Sequence, residues 1–241
     1  MKTRHVYFFV ALMVGCVANA QKKAAVPSFL TDGEMPDATR FVEAPPELNS
    51  TEFQHDVYYY QWGKEQRAIP EVAKQAAYDE AARTSEAFSQ AAGLTISPEQ
   101  TPEIFKLVEG VRQDANKANT RAKKYYRRKR PFAHFNEPSL VTDYDSVEMH
   151  TFSFPSGHAT RGYAYALALA CIVPDSTDAL LARARQYAVN RVVCGRHYMS
   201  DVDASLFVAD AVLCRLASNK AFQKQLKKAR KEYARIKRGR K

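Results

Sequence analysis

The sequence predicts an all-α fold: a single compact helical domain with a central helix bundle. Its strongly periodic stretches all repeat apolar residues at the helical spacing. The one stretch with strand propensity, residues 57–62, is isolated, and a lone strand cannot form a sheet. The chain has 241 residues, of which 46% are hydrophobic, so one sizeable core is expected.

Residues 1–20 have the features of a cleaved secretory signal peptide. Lys2 and Arg4 provide a positive start, residues 6–17 form an apolar run, and Ala18-Asn19-Ala20 forms a cleavage site of small residues. The apolar run is shorter than the roughly 20 residues that a membrane-spanning helix needs. We therefore expect the mature chain to be exported.

A lipid anchor is the alternative at this end of the chain. Gly15-Cys16 resembles a lipoprotein junction, at which Cys16 would become acylated. Beyond residue 20, no stretch is long, apolar and uncharged enough to cross a bilayer. Cleavage and acylation both remain open, and both predict export.

The mature chain divides into an arm and a helical domain. Residues 21–50 are rich in proline and acidic residues without a sustained period, which predicts an irregular N-terminal arm. Residues 51–241 then form the helical domain, ending in a basic helix. Within it, residues 71–92 are rich in Ala, Glu, Lys and Arg and predict a helix.

The next predicted helix begins at Thr101-Pro102, an N-cap residue followed by a proline in the first helical position. Its apolar spacing continues to about residue 129. Lys123 and Arg130 are seven residues apart, nearly two turns, so both are expected on one face near the helix end. Taken alone, residues 123–130 would favour a nucleic-acid patch of cations and rings.

Three more helices are expected further along the chain. Residues 132–153 predict a loop, and residues 160–173, with Arg161 as the only charge, predict a buried central helix that starts at Ser156-Gly157. Thr177-Asp178 suits the cap of another helix. Ser200 and Asp203 resemble a capping box before the apolar run 204–216.

The net charge of +10 is concentrated at the C-terminus. Residues 220–241 contain eleven Lys or Arg against the single Glu232, which gives +10 by itself. An apolar stripe at the helical spacing favours a solvated amphipathic helix over a polyanion-binding or membrane-surface segment. The cysteines that remain after cleavage, Cys171, Cys194 and Cys214, are odd in number, so at most one pair can form, and their spacing indicates no metal site.

The chemistry-bearing residues occur in three ordered blocks: Lys123-x6-Arg130-Pro131, Pro155-Ser156-Gly157-His158 and Asn190-Arg191-x5-His197-x3-Asp201. Cations of this kind hold the non-bridging oxygens of a phosphate, one histidine can attack phosphorus, and the other can protonate the leaving oxygen. The function predicted from the blocks is phosphate-ester hydrolysis without a metal or other cofactor.

In order and spacing, the blocks resemble the signature of class A bacterial non-specific acid phosphatases, in the type 2 phosphatidic-acid phosphatase and vanadium haloperoxidase superfamily. The resemblance covers most of the mature chain. It departs at Asn190, where the family usually has serine. Segments outside the blocks that share it are Tyr60-Gln61-Trp62-Gly63-Lys64, Ala87-Phe88, Thr101-Pro102-Glu103 and Ala221-Phe222-Gln223.

The resemblance implies a role for each residue. His197 is the nucleophile that forms a phosphohistidine, His158 is the general acid and then the base, and Asp201 orients His197. The phosphate site lies between central helices, and its implied ligands are Lys123, Arg130, Ser156, Gly157, Arg191 and Asn190.

The implied partners are small phosphate monoesters such as nucleotides, sugar phosphates and aryl phosphates, with no stable nucleic-acid partner. The implied location is the bacterial periplasm or the medium. Homo-oligomerisation and a membrane-surface contact through the basic tail stay open. The alternative functions are a vanadium-dependent haloperoxidase, a lipid-phosphate phosphatase and a non-catalytic polyanion-binding protein.

Overall fold

The computed structural model describes residues 28–239, so the predicted signal peptide and Cys16 lie outside the described residues. Within this range the structure contains helices and no strand, which confirms the predicted all-α fold. The helices are α1 Thr51–Arg67, α2 Pro70–Ala81, α3 Thr84–Ala92, α4 Pro102–Tyr126, α5 Pro131–His134, α6 Asp145–Glu148, α7 Gly157–Ala170, α8 Thr177–Val193, α9 Met199–Ala217 and α10 Lys220–Gly239.

Helix α7 lies at the centre and packs against α4, α8 and α9. Small residues allow these close approaches, and Ala164, Ala166 and Ala168 are completely buried. At Gly162 the ring of Tyr187 from α8 comes so close that an added Cβ would lie 2.5 Å from its Cδ1. The predicted buried central helix is thus present, and its N-terminus points toward the predicted site.

The segment with strand propensity is helical, as part of α1. Ser50 caps this helix, because its Oγ accepts a hydrogen bond from the Phe53 amide at 3.1 Å. Tyr60 is buried, and an added Cβ at Gly63 would lie 2.7 Å from the Val192 carbonyl oxygen of α8. Packing of one helical face therefore overrides the local propensity.

The single helix expected over residues 71–92 is wrong, since the structure has two, α2 and α3. Ala82 and Arg83 between them are extended, with ψ near 148° and 142°. The end of α2 is fixed by ion pairs to α8, Asp79 to Arg183 and Glu80 to Arg191. Helix propensity alone contains no information about such distant partners.

Helix α4 begins at Pro102 as expected, but the Thr101 hydroxyl does not cap it and donates to the Thr95 carbonyl at 3.0 Å. The cap comes from α10. The Glu232 carboxylate accepts the amides of Glu103 at 3.1 Å and Ile104 at 2.8 Å. A carboxylate at a helix N-terminus is favourable, so this contact ties the basic helix to the domain.

Helix α4 ends at Tyr126, earlier than expected, because Arg127 adopts a left-handed conformation with φ 49°. Arg130 follows the helix and immediately precedes α5. The expectation that Lys123 and Arg130 share one helix face is therefore wrong. A turn, and not the helical repeat, brings these two cations together.

The start of α9 also differs from the prediction. The expected capping box of Ser200 and Asp203 is wrong: the carboxylate of Asp201 accepts the Tyr198 amide at 2.9 Å, and the Ser200 hydroxyl donates to Asp56 at 2.6 Å.

The expected loop over residues 132–153 contains the short helices α5 and α6. In the part of the chain that the structure describes, no helix is long and apolar enough to cross a membrane.

Candidate active site

The three sequence blocks converge at the inner end of α7. Lys123 comes from the last turn of α4 and Arg130 from the turn that follows it. Ser156 is the N-cap of α7, and Arg191 lies in the last turn of α8. His197 precedes α9, so five segments supply one site.

His197 is buried, and both of its ring nitrogens have partners. Nδ1 lies 3.3 Å from the Asp201 carboxylate, and Nε2 lies 3.0 Å from the Arg130 guanidinium. Because arginine only donates and carboxylate only accepts, Nδ1 carries the proton and Nε2 presents its lone pair. Burial, together with the charges of Arg130 and Lys123, holds the pKa of His197 well below its ordinary value. The ring is therefore neutral.

Asp201 is itself held by a buried network. Its Oδ1 accepts a 2.6 Å hydrogen bond from Arg128, which also donates at 2.6 Å to Asp56. Its backbone carbonyl accepts the Ser156 amide at 3.0 Å. These contacts join α9 to α1 and α7 and fix the orientation of the carboxylate that faces His197.

Gly157 lies at the N-terminus of α7, next to two cationic side chains. The first amides of a helix lack intrahelical acceptors and carry a partial positive charge. An added Cβ at Gly157 would lie 3.7 Å from Arg161 Nη1 and 3.8 Å from Lys123 Cε. The space beside this glycine therefore lies between two cations, an arrangement that suits an anion.

Lys123 is held by backbone oxygens. Its Nζ donates to the carbonyls of Phe152 at 2.6 Å and Ser153 at 3.1 Å. Burial first, and then the charge of Arg130, lower the pKa of Lys123 to about 7. This ammonium group therefore changes its charge near neutral pH.

His158 follows Gly157 and stacks on Tyr187, with ring centroids 4.6 Å apart. Its Nδ1 accepts from Arg161 at 3.0 Å, so Nε2 carries the proton and donates to the Asp79 carbonyl at 2.9 Å. Burial and the charges of Arg191 and Arg161 hold the pKa of His158 well below its ordinary value. His158 is neutral in the absence of an anion.

Arg191 and Asn190 occupy different positions relative to this cluster. Arg191 is buried and paired with Glu80, and its Nε finds no acceptor among residues 28–239. The Asn190 amide donates to Asp79 at 2.7 Å, and Asp79 also binds Arg183. Direct phosphate binding by Asn190 stays a prediction.

Sequence reasoning missed the residues that support the site. Arg128, Asp56, Asp79 and Glu80 carry the ion pairs described above, and Tyr187 stacks on the general-acid candidate. None belongs to a short motif, because their partners are distant in sequence. Arg128 lies within the basic run, but only the fold distinguishes it from its neighbours.

Cys171, Cys194 and Cys214 are all free thiols. Within residues 28–239, no three His, Cys, Asp or Glu side chains are grouped as ligands of a metal ion.

Comparison with known proteins establishes the family. The PAP2 superfamily matches residues 112–224. The chain is 39% identical over 214 residues to the non-specific acid phosphatase of Providencia stuartii, which covers 87% of this chain and 86% of that protein. It is 32% identical over 236 residues to the non-specific acid phosphatase of Salmonella typhimurium, with coverage of 96% and 93%. The chain belongs to the PAP2 superfamily.

All three predicted blocks of this PAP2 superfamily chain lie within the matched residues 112–224. The similarity to proteins named non-specific acid phosphatase extends over most of both chains. The predicted family and the predicted enzyme class, acid phosphatase, are therefore confirmed by homology.

Proposed function

We propose that the protein hydrolyses phosphate monoesters without a metal, through a phosphohistidine formed at His197. One observation carries the proposal: the neutral His197 ring directs its Nε2 lone pair at Arg130 while its Nδ1–H faces Asp201. A nucleophile held in one tautomer beside a cation is what attack on a phosphoryl group requires.

The phosphoryl group is held by charge and by the helix end. Lys123, Arg130 and Arg191 bind the non-bridging oxygens, and the free Nε of Arg191 supplies a donor. The amides near Ser156 and Gly157 add the positive end of α7. Asn190 is the remaining predicted ligand and reaches the phosphate once its amide leaves Asp79.

The first chemical step is transfer to His197. Nε2 forms a bond to phosphorus while the bond to the ester oxygen breaks, and Asp201 stabilises the positive charge that the imidazole gains. The departing oxygen takes a proton from Nδ1 of His158. An anion in the site raises the pKa of His158 and thereby favours its protonated form.

The second step returns His197 to its original state. The oxygen of water forms a bond to phosphorus while the bond between phosphorus and Nε2 of His197 breaks, and His158 accepts a proton from that water, which reverses its role in the first step. Inorganic phosphate leaves, and His197 is again neutral. The substrates of the proposal are nucleotides, sugar phosphates and aryl phosphates, in the periplasm or outside the cell.

The test is phosphate release from p-nitrophenyl phosphate between pH 4 and 8 with EDTA present. We expect hydrolysis by the wild type and a loss of at least about 10³-fold in His197→Ala. His150→Ala, at an exposed histidine outside the site, is the matched control and should retain full activity. Activity that requires added metal, or that survives in His197→Ala, would overturn the mechanism.

A further inference from the structure

A cavity of about 500 Å³ opens beside His158, between α2, α3, α4 and α7. Its lining includes the general-acid candidate itself and three arginines, Arg83, Arg112 and Arg161. Because the alcohol part of a substrate must lie on the side of the general acid, this cavity is where a leaving group would extend.

Arg161 is the cation next to the chemistry. One guanidinium nitrogen contacts Nδ1 of His158 at 3.0 Å, and another donates to the Asn116 side chain at 3.0 Å. Among residues 28–239, no carboxylate lies within 4.0 Å of this guanidinium. Its partners in the protein are therefore neutral, and a half-buried cation with neutral partners is stabilised when an anion binds to it.

The other arginines near the site differ from Arg161 in this respect. Arg183 is paired with Asp79 and Arg191 with Glu80. In the cavity, Arg112 is paired with Glu109 at 2.7 Å, while Arg83 is exposed at the rim. Since Glu80 and Glu109 are both engaged, Arg161 provides a positive charge that the protein itself does not neutralise.

We propose that Arg161 binds a second anionic group, a carboxylate or phosphate, on the leaving part of the substrate. The protein then prefers phosphate esters whose alcohol part carries such a group. This inference rests on the proposed function. It also connects binding to chemistry, because an Arg161 that turns toward the anion releases Nδ1 of His158. That nitrogen then carries the proton that the ester oxygen receives, while Nε2–H remains on the Asp79 carbonyl.

The test compares kcat/KM for 3-phosphoglycerate and glycerol 3-phosphate. The first compound has a carboxylate where the second has a neutral hydroxymethyl group. The wild type should favour 3-phosphoglycerate by about tenfold or more, as expected for a charge-assisted hydrogen bond. Arg161→Gln should reduce this ratio to about one, and Arg161→Lys should retain part of it. Any effect of Arg161 on the chemical steps that both substrates share cancels in the ratio of their kcat/KM values. A change in this ratio therefore reports on the contact with the carboxylate.

Arg121→Gln is the matched control, because Arg121 is an exposed arginine of α4 paired with Asp37, and it should keep the wild-type ratio. An equal ratio in wild type and Arg161→Gln, with both proteins hydrolysing p-nitrophenyl phosphate, would overturn the inference and leave the proposed function intact. If the wild type hydrolyses nothing, the proposed function fails. In that case, calorimetry measures the affinity of the protein for the same two compounds. Tighter binding of 3-phosphoglycerate by the wild type but not by Arg161→Gln would support the inference, and equal affinity of the wild type for both compounds would refute it.

Discussion

Arg128 and Asp201 form a buried ion pair, with a guanidinium nitrogen 2.6 Å from the carboxylate oxygen opposite the one that faces His197. Burial opposes the charge of Arg128, but Asp201 and Asp56 more than compensate and raise its pKa. Arg128 therefore stays charged and orients the Asp201 carboxylate. It acts on His197 only through this carboxylate, as a positioning residue.

Removing Arg128 should affect both the stability of the protein and kcat. In Arg128→Met the carboxylates of Asp56 and Asp201 lose their buried partner, which costs about 3–5 kcal/mol in the free energy of unfolding. Asp201 also loses the contact that orients it toward His197, so kcat should fall while KM changes little. Urea unfolding and steady-state kinetics measure the two effects.

Arg128→Lys is the conservative companion of this variant. It retains one charge but cannot bridge two carboxylates as a fork, so both effects should be smaller. An unchanged kcat in Arg128→Met would mean that Arg128 only stabilises the fold.

The main helices and the site residues could be predicted from the sequence, but the contacts that hold the site residues in place could not. Periodicity identified α4, because burial of one face leaves a repeating pattern in the sequence, and an apolar run with Arg161 as its only charge identified α7. The blocks identified His158, His197 and Asp201 as one set. The turn at Arg127 and the pairing of Glu80 with Arg191 left no such pattern. Each involves only one or two residues, and a feature of that size produces no repeat in the sequence.

Lys123 should set the alkaline limb of kcat/KM. Its pKa is about 7, so it is charged below this pH and neutral above it, and phosphate binding should weaken as pH rises through 7. Lys123→Arg keeps the charge at all these pH values, so the limb should move to higher pH. Lys123→Met should lower kcat/KM by about 10²-fold and lose this limb. A limb at the same pH in wild type and Lys123→Arg would contradict the assignment.

The buried neutral state of His197 should make the free protein less stable in acid. The pKa of His197 is lowered in the folded state, whereas in the unfolded chain it is about 6.5. The unfolded state therefore binds the proton first, and stability falls as pH decreases below about 6.5. From pH 6 to 5, the wild type should lose about 1 kcal/mol more than His197→Asn in urea unfolding.

His150→Asn serves as the control for this measurement, because an exposed histidine should not change the slope. Equal slopes for wild type and His197→Asn would show that His197 is protonated in the folded protein. That result would remove the neutral nucleophile on which the mechanism depends.

Gly162→Ala should lower kcat through Tyr187, whose ring contacts Gly162 and also stacks on His158. The added Cβ would lie 2.5 Å from Cδ1 and 2.9 Å from Cε1 of a ring that is buried between Phe88 and His158. The ring cannot move without displacing His158, so we expect a stability loss of about 1–3 kcal/mol and a lower kcat. Tyr187→Leu in the same chain would relieve the overlap but remove the stacking. The double variant should therefore regain stability without regaining kcat, whereas recovery of both would show that Tyr187 does not position His158.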